Sequence, residues 1–423
     1  MTTSDGTVSA LAPFRTRNFR WQWPADLCTA WAMEMETLIL GWYVLVETGS
    51  VVLLTVFGSL LFVGTLLSPL LGVIADRLGL RRVLTAMRLW YAAFSGVILI
   101  MTLTGRLSPV AVLVVAGLSG LVKPTDIGLR SAMVGATVPP VHLTAAMGIS
   151  RTTMDSAKIG GALVGTSFVA LAGMAPAYVL VMVLYLTGAM LTLRVDSGRP
   201  GHAAGASGGT SLPGRTSAWA DLGEGLKYVW RTPRLLAAMA VAALVNLTVY
   251  PLTIGLLPYV ARDVFQIGPQ GLGLLVASFA GGSFAGSIAV SVLGARLRPA
   301  RTMLAAAVIW HLFLAGFVLA PSYQAGMVLL VCAGVCQSMS MLTLSILLLR
   351  TSEARFRGRI MGVRMLAIYP LPVGMLIAGA LIQRIGYTAS EISMLATGLM
   401  LATALAIGWR AHLLPRNAAG NSV

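Results

Sequence analysis

Residues 72–82 read GVIADRLGLRR, a short basic turn between two apolar segments at 51–76 and 83–104. Each flanking segment is long enough to cross a bilayer, which takes about 20 apolar residues in a helix. The turn offers Gly79 for an abrupt change of direction, and its arginines favour the cytoplasmic side of a membrane. The turn therefore predicts a hairpin of two membrane-spanning helices closed on the cytoplasmic side.

The composition extends this prediction to the whole chain. Its 423 residues are 57% hydrophobic and only 10% charged, with a mean hydropathy of +0.85, whereas soluble proteins carry about 25% charged residues. Apolar runs alternate with turn signals, and they predict an all-α membrane protein with twelve transmembrane helices in two six-helix bundles. The predicted spans are 21–46, 51–76, 83–104, 108–132, 144–171, 176–194, 235–261, 268–295, 302–320, 323–349, 361–385 and 388–409.

The chain divides into five predicted regions. The stretch 198–216 is rich in Gly, Ala and Ser and cannot bury enough apolar area to fold, so we expect a flexible cytoplasmic linker. The apolar residues between Trp219 and Trp230 recur at helical spacing, which predicts an amphipathic helix at the membrane interface. The regions are a cytoplasmic N-terminus (1–20), an N-terminal six-helix bundle (21–197), the linker (198–216), the interfacial helix with the C-terminal six-helix bundle (217–410) and a cytoplasmic tail (411–423).

The basic residues behind the net charge of +16 lie mainly on one side of the predicted membrane topology. Lys and Arg concentrate at the termini and in the even-numbered connections, among which Arg88 is counted, while the odd-numbered connections hold only Arg106, Arg262 and Arg384. This bias predicts that both termini are cytoplasmic. Arg-rich, Lys-poor usage favours a bacterial inner membrane. Nucleic-acid binding is not expected, because the basic residues form no patch on a polar domain.

The turn at 72–82 resembles the signature of the major facilitator superfamily. That signature is a glycine, an aspartate-arginine pair four residues on, a second glycine and paired basic residues; the matching positions are Gly72, Asp76, Arg77, Gly79 and Arg82. The resemblance implies the major facilitator fold and a conformational latch in which Asp76 holds the cytoplasmic side shut against the start of helix 11. We expect Gly72 to allow a neighbouring helix to approach closely.

Two further segments resemble the enterobactin-exporter and macrolide-efflux branch of that superfamily. They are DLGEGLKYVWRTP at 221–233 and ETGS at 47–50. The resemblance implies efflux of a small amphipathic organic molecule, such as a drug, a siderophore or a metabolite. The antiporter signature of span 5 is present only as 161–166, GALVGT, without its proline. The alternatives are uptake or lysolipid flipping by the same fold, or a membrane sensor or scaffold that transports nothing.

Ionisable side chains inside the spans are the main functional signal. Each costs roughly 2.5 to 3.5 kcal/mol on insertion scales unless it faces a partner or water. Helix 1 carries Asp26, Glu34 and Glu36, and Lys158 of helix 5 is expected at the depth of the two glutamates. We predict proton coupling through Glu34 or Glu36, with Asp26 and Asp126 as the next candidates.

Helices 4 and 5 carry a second set of charges in helical stripes. Their heights along the helices predict two ion pairs between the helices, Asp126 with Arg151 and Lys123 with Asp155. One alternative is a static buried network that only holds the N-terminal bundle together. Direct contact of these charges with the substrate is another.

Aromatic and polar residues within the spans are candidates for a substrate cavity, the alternative being packing between helices. These candidates are Trp31, Asn246, Tyr250, Gln337 and Tyr369. His311 is expected to be a hydrogen-bonded core residue.

No enzyme motif lies in a workable position. GASGG at 205–209 has the form of a nucleophile elbow but lies in the linker, and no phosphate-binding loop is present. The three cysteines lie in apolar runs and give no metal-ligand pattern. We therefore expect no catalysis, no metal and no cofactor, with the proton gradient as the energy source. The expected partners are a small-molecule substrate and the lipid bilayer, and we expect a monomer.

The topology is testable by fusion. A reporter fused within 198–214 or after Asn417 should stay in the cytoplasm, because the basic connections are retained there. Alkaline phosphatase and green fluorescent protein fusions at both points measure this. Phosphatase activity at either point would contradict the predicted orientation.

Overall fold

The computed structural model describes residues 11–196, 218–293, 297–353 and 356–412, and these residues form helices without a strand. The predicted linker lies outside the described residues. Nine helical stretches within the described ranges are long and apolar enough to cross a membrane. The other predicted spans are either interrupted, as at 51–76, or carry several charges, as in the first and fifth, so the count of twelve stays a prediction.

The first part of the chain folds as consecutive helices joined by short turns. They are α1 (Arg17–Thr48), α2 (Val51–Leu60), α3 (Ser68–Leu78), α4 (Leu80–Leu103), α5 (Pro109–Gly120), α6 (Lys123–Thr137), α7 (Pro140–Ala172) and α8 (Met174–Leu193). A 3-10 turn at Val63–Leu67 separates α2 from α3. Proline lies in the first turn of α3, α5, α6 and α7, where its missing N–H is tolerated.

The rest of the chain follows the same pattern. Its helices are α9 (Ala218–Arg231), α10 (Pro233–Thr248), α11 (Leu257–Tyr259), α12 (Pro269–Leu293), α13 (Pro299–Val318), α14 (Tyr323–Thr351), α15 (Arg357–Leu366), α16 (Pro370–Ile385) and α17 (Tyr387–His412). Two π-helical stretches, Pro251–Leu256 and Val260–Val264, flank α11, so α10 and α11 belong to one continuous helical stretch, Pro233–Val264.

The helices form two compact units. Unit 1 comprises Met1–Leu53, Leu60–Gly214 and Pro258–Ala277, and unit 2 comprises Leu54–Ser59, Arg215–Leu257 and Ser278–Val423. In unit 1, α1 packs along both α7 and α8, and α4 packs along α8. In unit 2, α13 packs along α14 and α17, and α10 packs along α16 and α17.

The segment after the linker is helical, as its periodicity predicts, and it packs on α15. Glu224 and Arg359 form an ion pair at 2.6 Å, and the rings of Tyr228 and Phe356 stack with centroids 4.3 Å apart. Trp230 on the other side is 72% exposed. This helix therefore carries one protein-facing side and one exposed aromatic side, as an interfacial helix requires.

Glycines of α7 allow α1 to approach closely. A Cβ built on Gly161 would lie 2.9 Å from the Glu34 Cβ, and one built on Gly165 would lie 3.1 Å from the Met35 Cα. Real Cβ atoms essentially never show the first distance and rarely show the second, so the spacing of the two helices depends on these glycines. The close packing fixes the position of the ionisable residues of α1 against α7.

Replacing one of these glycines should loosen the α1–α7 contact. We expect Gly165→Ala to lower the stability by about 1–3 kcal/mol, because the added methyl group overpacks the contact with Met35. Gly148→Ala on the same helix is the control, since a Cβ there meets nothing within 4 Å and alanine favours helix. Thermal unfolding in detergent compares the two. A midpoint for Gly165→Ala equal to that of Gly148→Ala would contradict the packing argument.

Candidate functional site

A buried ion pair joins α1 to α4. Asp26 Oδ1 pairs with Arg88 Nη2, and Arg88 is only 1% exposed. Arg88 Nη1 also donates to the carbonyl of Gly188 at 3.1 Å and to the hydroxyl of Thr192, both on α8. The side chain of Arg88 therefore links three helices. The assignment of Arg88 to a cytoplasmic connection is wrong, because this residue lies in the interior of α4.

Glu36 occupies a second buried position on α1, about 15 Å along the helix from Asp26. Tyr185 of α8 donates its hydroxyl to Glu36 Oε2 at 2.8 Å, and Ser95 of α4 donates to Oε1 at 3.2 Å. Both partners are neutral hydroxyl groups. The sequence indicated Glu36 but neither partner, because serine and tyrosine are common in apolar helices and carry no pattern of their own.

Lys123 of α6 is a cation that acts on the glutamates of α1. Its Nζ donates to Thr37 Oγ1 at 2.7 Å, and it interacts electrostatically with both Glu34 and Glu36. In the described part of the chain, no ion pair joins Lys158 to either glutamate. The expected depth of Lys158 stays a prediction.

The remaining ion pairs lie within single helices. Asp126 pairs with Arg130 on α6, and Asp155 pairs with Arg151 on α7 at 3.3 Å. The predicted pairs between helices, Asp126 with Arg151 and Lys123 with Asp155, are wrong. Residues four apart on one helix face each other directly, whereas equal height on two helices says nothing about the direction in which side chains point.

A cavity of about 170 Å³ opens between α1, α6 and α7 of unit 1. Charged, aromatic and thioether side chains share its wall. They include Trp23, Asp26, Arg130, Met147, Arg151 and Met154. The sequence marked three of these as ionisable, but neither the tryptophan nor the methionines stood out from the apolar background.

A chain of hydrogen bonds crosses three helices of unit 2. Ser283 Oγ donates to Gln337 Oε1 at 2.7 Å, and Gln337 Nε2 donates to the hydroxyl of Tyr250 at 3.0 Å. The ring of Tyr250 meets Trp310 edge to face, with centroids 5.1 Å apart. Two of the predicted cavity residues, Tyr250 and Gln337, are thus brought together, while Ser283 and Trp310 were missed.

The other predicted cavity residues take no part in the described hydrogen bonds of this chain. Asn246 turns its amide back to the carbonyl of Ala242 on the same helix, at 2.8 Å. Trp31 lies in unit 1, where its ring packs against Gly160 of α7. Tyr369 is half-buried at the start of α16. Side-chain chemistry alone did not separate these residues from the ones that form the hydrogen-bonded chain.

His311 is a core residue, as expected. Its Nδ1 lies 2.7 Å from the carbonyl of Ala307, and its Nε2 lies 3.0 Å from Thr248 Oγ1. Both ring nitrogens are thereby occupied.

The signature turn is partly described. Gly79 adopts φ +91° between α3 and α4, which confirms it as the turn residue. A Cβ at Gly72 would meet nothing within 4 Å among the described residues, so no close approach of a helix is seen there in that part of the chain. Arg77 and Arg82 are exposed. The side chain of Asp76 lies outside the described residues, and the latch stays a prediction.

The sequence survey missed a buried carboxyl group in unit 2. Glu391 on α17 is 0% exposed, and neither of its oxygens has a hydrogen-bond partner among the described residues. The signal was present, because this is a single acidic residue inside the apolar run at 388–409. Within the described ranges, no cluster of His, Cys, Asp and Glu has the form of a metal site.

Comparison with known proteins places the chain in context. A family model described as "Transmembrane secretion effector" matches residues 8–422. No curated protein is significantly similar in sequence.

Solved transporters share the fold. The nucleoside transporter NupG gives a TM-score of 0.72 at 13% identity, covering 93% of this chain and 99% of that one. A bacterial homologue of the human lysosomal transporter Spinster, inward-facing and unoccupied, gives 0.69 at 14% identity and covers 94% and 98%. A POT family transporter in complex with a thioalcohol-conjugated peptide gives 0.70 at 12% identity and covers 94% and 97%. At such identities the similarity shows the fold alone.

Breaking the Asp26–Arg88 pair should destabilise the protein strongly. Asp26→Asn leaves a buried guanidinium without its counter-ion, which costs about 3–5 kcal/mol. The double variant Asp26→Asn/Arg88→Met should recover most of this loss. Asp263→Asn is the control, since the Arg262–Asp263 pair is partly exposed and 4.0 Å long and such pairs contribute about 0–1 kcal/mol. Thermal unfolding measures all three. Equal midpoints for Asp26→Asn and Asp263→Asn would exclude a structural role for the buried pair.

Proposed function

Because the chain belongs to the MFS_3 family of transmembrane secretion effectors, and so to the major facilitator transporters, we propose that it exports a small amphipathic organic molecule in exchange for protons. The family description, a secretion effector, supports the outward direction. The proposed location is a bacterial inner membrane, with both termini in the cytoplasm, and the proposed active form is a monomer. Alternating access with the Asp76 latch on the cytoplasmic side is the proposed cycle.

The carboxyl group of Glu36 carries the proposal of proton coupling. It is buried in unit 1, and its hydrogen-bond partners, Tyr185 and Ser95, are hydroxyl groups. A hydroxyl group donates or accepts as needed. The side chain of Glu36 can therefore gain or lose a proton while its partners reorient, without breaking a direct ion pair.

Asp26 and Asp126, the next acidic candidates, lack this freedom. Asp26 is held by Arg88 and Asp126 by Arg130, each in a direct ion pair. Protonating either one would strand a buried guanidinium, which costs several kcal/mol. These two pairs suit a static role in holding the bundle, so the static and coupling interpretations apply to different residues.

Lys123 is the group proposed to respond when Glu36 takes up a proton. It interacts electrostatically with Glu34 and Glu36 and donates to Thr37, the residue after Glu36. A proton that arrives at Glu36 removes the negative charge facing this ammonium group. The change in charge balance between α1 and α6 provides the driving force for a change in helix packing.

The substrate is proposed to be a small organic molecule. Two of the solved transporters of the same fold are described as a nucleoside transporter and as a transporter in complex with a peptide conjugate. Nucleosides and short peptide conjugates are small organic molecules. The hydrogen-bonded chain of Ser283, Gln337 and Tyr250 is the proposed polar contact in unit 2.

Replacing Glu36 should uncouple transport from protons. Glu36→Gln keeps the shape and the hydrogen bonds but carries no proton, so gradient-driven accumulation should fall by at least tenfold while exchange of labelled for unlabelled substrate continues. The assay uses inverted vesicles with an imposed pH gradient and a compound that stabilises the purified protein in a thermal screen.

Glu34→Gln is the matched control, since this neighbouring glutamate has no hydrogen-bond partner among the described residues and should keep most coupled transport. Full gradient-driven transport by Glu36→Gln would refute coupling through this residue. Accumulation in right-side-out vesicles only would favour uptake, and binding without any flux would favour a sensor.

A further inference from the structure

Resting on the proposed transport function, we infer that the cavity between α1, α6 and α7 is an anion subsite that binds the acidic group of an amphipathic organic substrate through the guanidinium of Arg151. All residues that line it belong to unit 1. Three features of the cavity support this: the pairing of the charged groups on its wall, the exposure of Arg151, and the aromatic and thioether surface beside it.

Two of the three charged groups on the wall already have a counter-ion. Asp26 pairs with Arg88 through Oδ1 and accepts a hydrogen bond from Gln22 at Oδ2, at 3.4 Å. Arg130 pairs with Asp126 through Nη2 and donates from Nη1 to the carbonyl of Asp26 at 3.3 Å. The Nε of Arg130 has no hydrogen-bond partner among the described residues, but it is buried and so out of reach of a ligand in the cavity, and the carboxylate of Asp26 would repel an anion.

Arg151 is different, because only one edge of its guanidinium is occupied. Its Nε pairs with the buried Asp155 at 3.3 Å, and its side chain is 52% exposed. Among the described residues, no hydrogen bond or ion pair involves its two terminal nitrogens. A guanidinium end with two free nitrogens binds a carboxylate, sulfonate or phosphate group in a bidentate manner. The ion pair with Asp155 lies on the opposite, Nε side, so it leaves this end open to a ligand.

The exposure of Arg151 also indicates a wet surface. Arg151 lies in the twelfth position of α7, which contains the predicted span 144–171. A guanidinium in a span must face a partner or water, so the exposed half of the side chain is expected to face water and not lipid tails. A charged substrate can reach it from solution.

The apolar part of the wall fits an organic body. The ring of Trp23 is held by a hydrogen bond from Nε1 to Thr153 at 2.8 Å and by an edge contact with Phe14. Met147 and Met154 add flexible thioether surface, which adapts to varied shapes. The volume is below the roughly 300–1,000 Å³ of sites for drug-sized ligands. The subsite thus holds an acidic group with one ring, and the rest of the substrate extends beyond it.

Two probes with the same ring and opposite permanent charge test this inference. They are benzenesulfonate and benzyltrimethylammonium, titrated calorimetrically into the full-length protein in a neutral detergent. We expect the sulfonate to bind at least tenfold more tightly than the ammonium. Arg151→Gln should weaken sulfonate binding about ten- to hundredfold, since charge-assisted hydrogen bonds contribute about 1.5–3 kcal/mol. Arg151→Lys should give an intermediate loss.

Controls separate the site from general effects. Arg301→Gln removes an exposed arginine of α13 outside the cavity and should leave binding unchanged. If Arg151→Gln unfolds because Asp155 loses its partner, Arg151→Gln/Asp155→Asn gives the same test with a neutral pair. Equal affinity for both probes would overturn the inference. So would sulfonate binding that survives both in Arg151→Gln and in Arg151→Gln/Asp155→Asn.

An anionic lipid headgroup offers the same chemistry as an acidic substrate. The titration is therefore repeated in nanodiscs of phosphatidylcholine with and without phosphatidylglycerol. Sulfonate binding that is unaffected by phosphatidylglycerol supports a soluble substrate, and its displacement would overturn that assignment. These titrations need no proton gradient. Charge-selective binding without transport would refute the proposed export alone, and proton-driven transport without anion binding would refute the subsite alone.

Discussion

A charge inside a membrane must have a partner or water, and unit 1 is arranged around this constraint. Arg88 lies deep in α4, so Asp26 on α1 and the acceptors of α8 must meet it there. The same helix α1 supplies Glu36, whose hydroxyl partners come from α4 and α8. One helix thus carries both the fixed and the adaptable acidic group, and its glycine-mediated contact with α7 keeps both in register.

Unit 2 uses neutral chemistry over most of its described interior. Ser283, Gln337 and Tyr250 are linked by hydrogen bonds, and His311 is bonded through both ring nitrogens. Glu391 is the exception, since it is buried without a hydrogen-bond partner in the described residues. The described polar interior thus differs between the units: it is charged in unit 1 and mostly neutral in unit 2.

Hydropathy and turn chemistry predicted the helical membrane fold because lipid allows few alternatives. Gly79 was predictable for a different reason, since few residues other than glycine adopt its positive φ. The site was harder. Height along a helix can be counted, but the direction of a side chain cannot, and for this reason the Asp126–Arg151 and Lys123–Asp155 pairs were wrong. Tyr185 was invisible because the carboxyl group it meets lies 149 residues away in sequence.

The wide turns of the helical stretch Pro233–Val264 have a separate consequence. Each π-helical stretch, Pro251–Leu256 and Val260–Val264, contains more residues per turn than an α-helix. Each stretch accommodates about one extra residue, so loss of one residue there would restore α-helical geometry instead of breaking the helix. This helix can therefore absorb a change in chain length while the side chains beyond it keep their orientation.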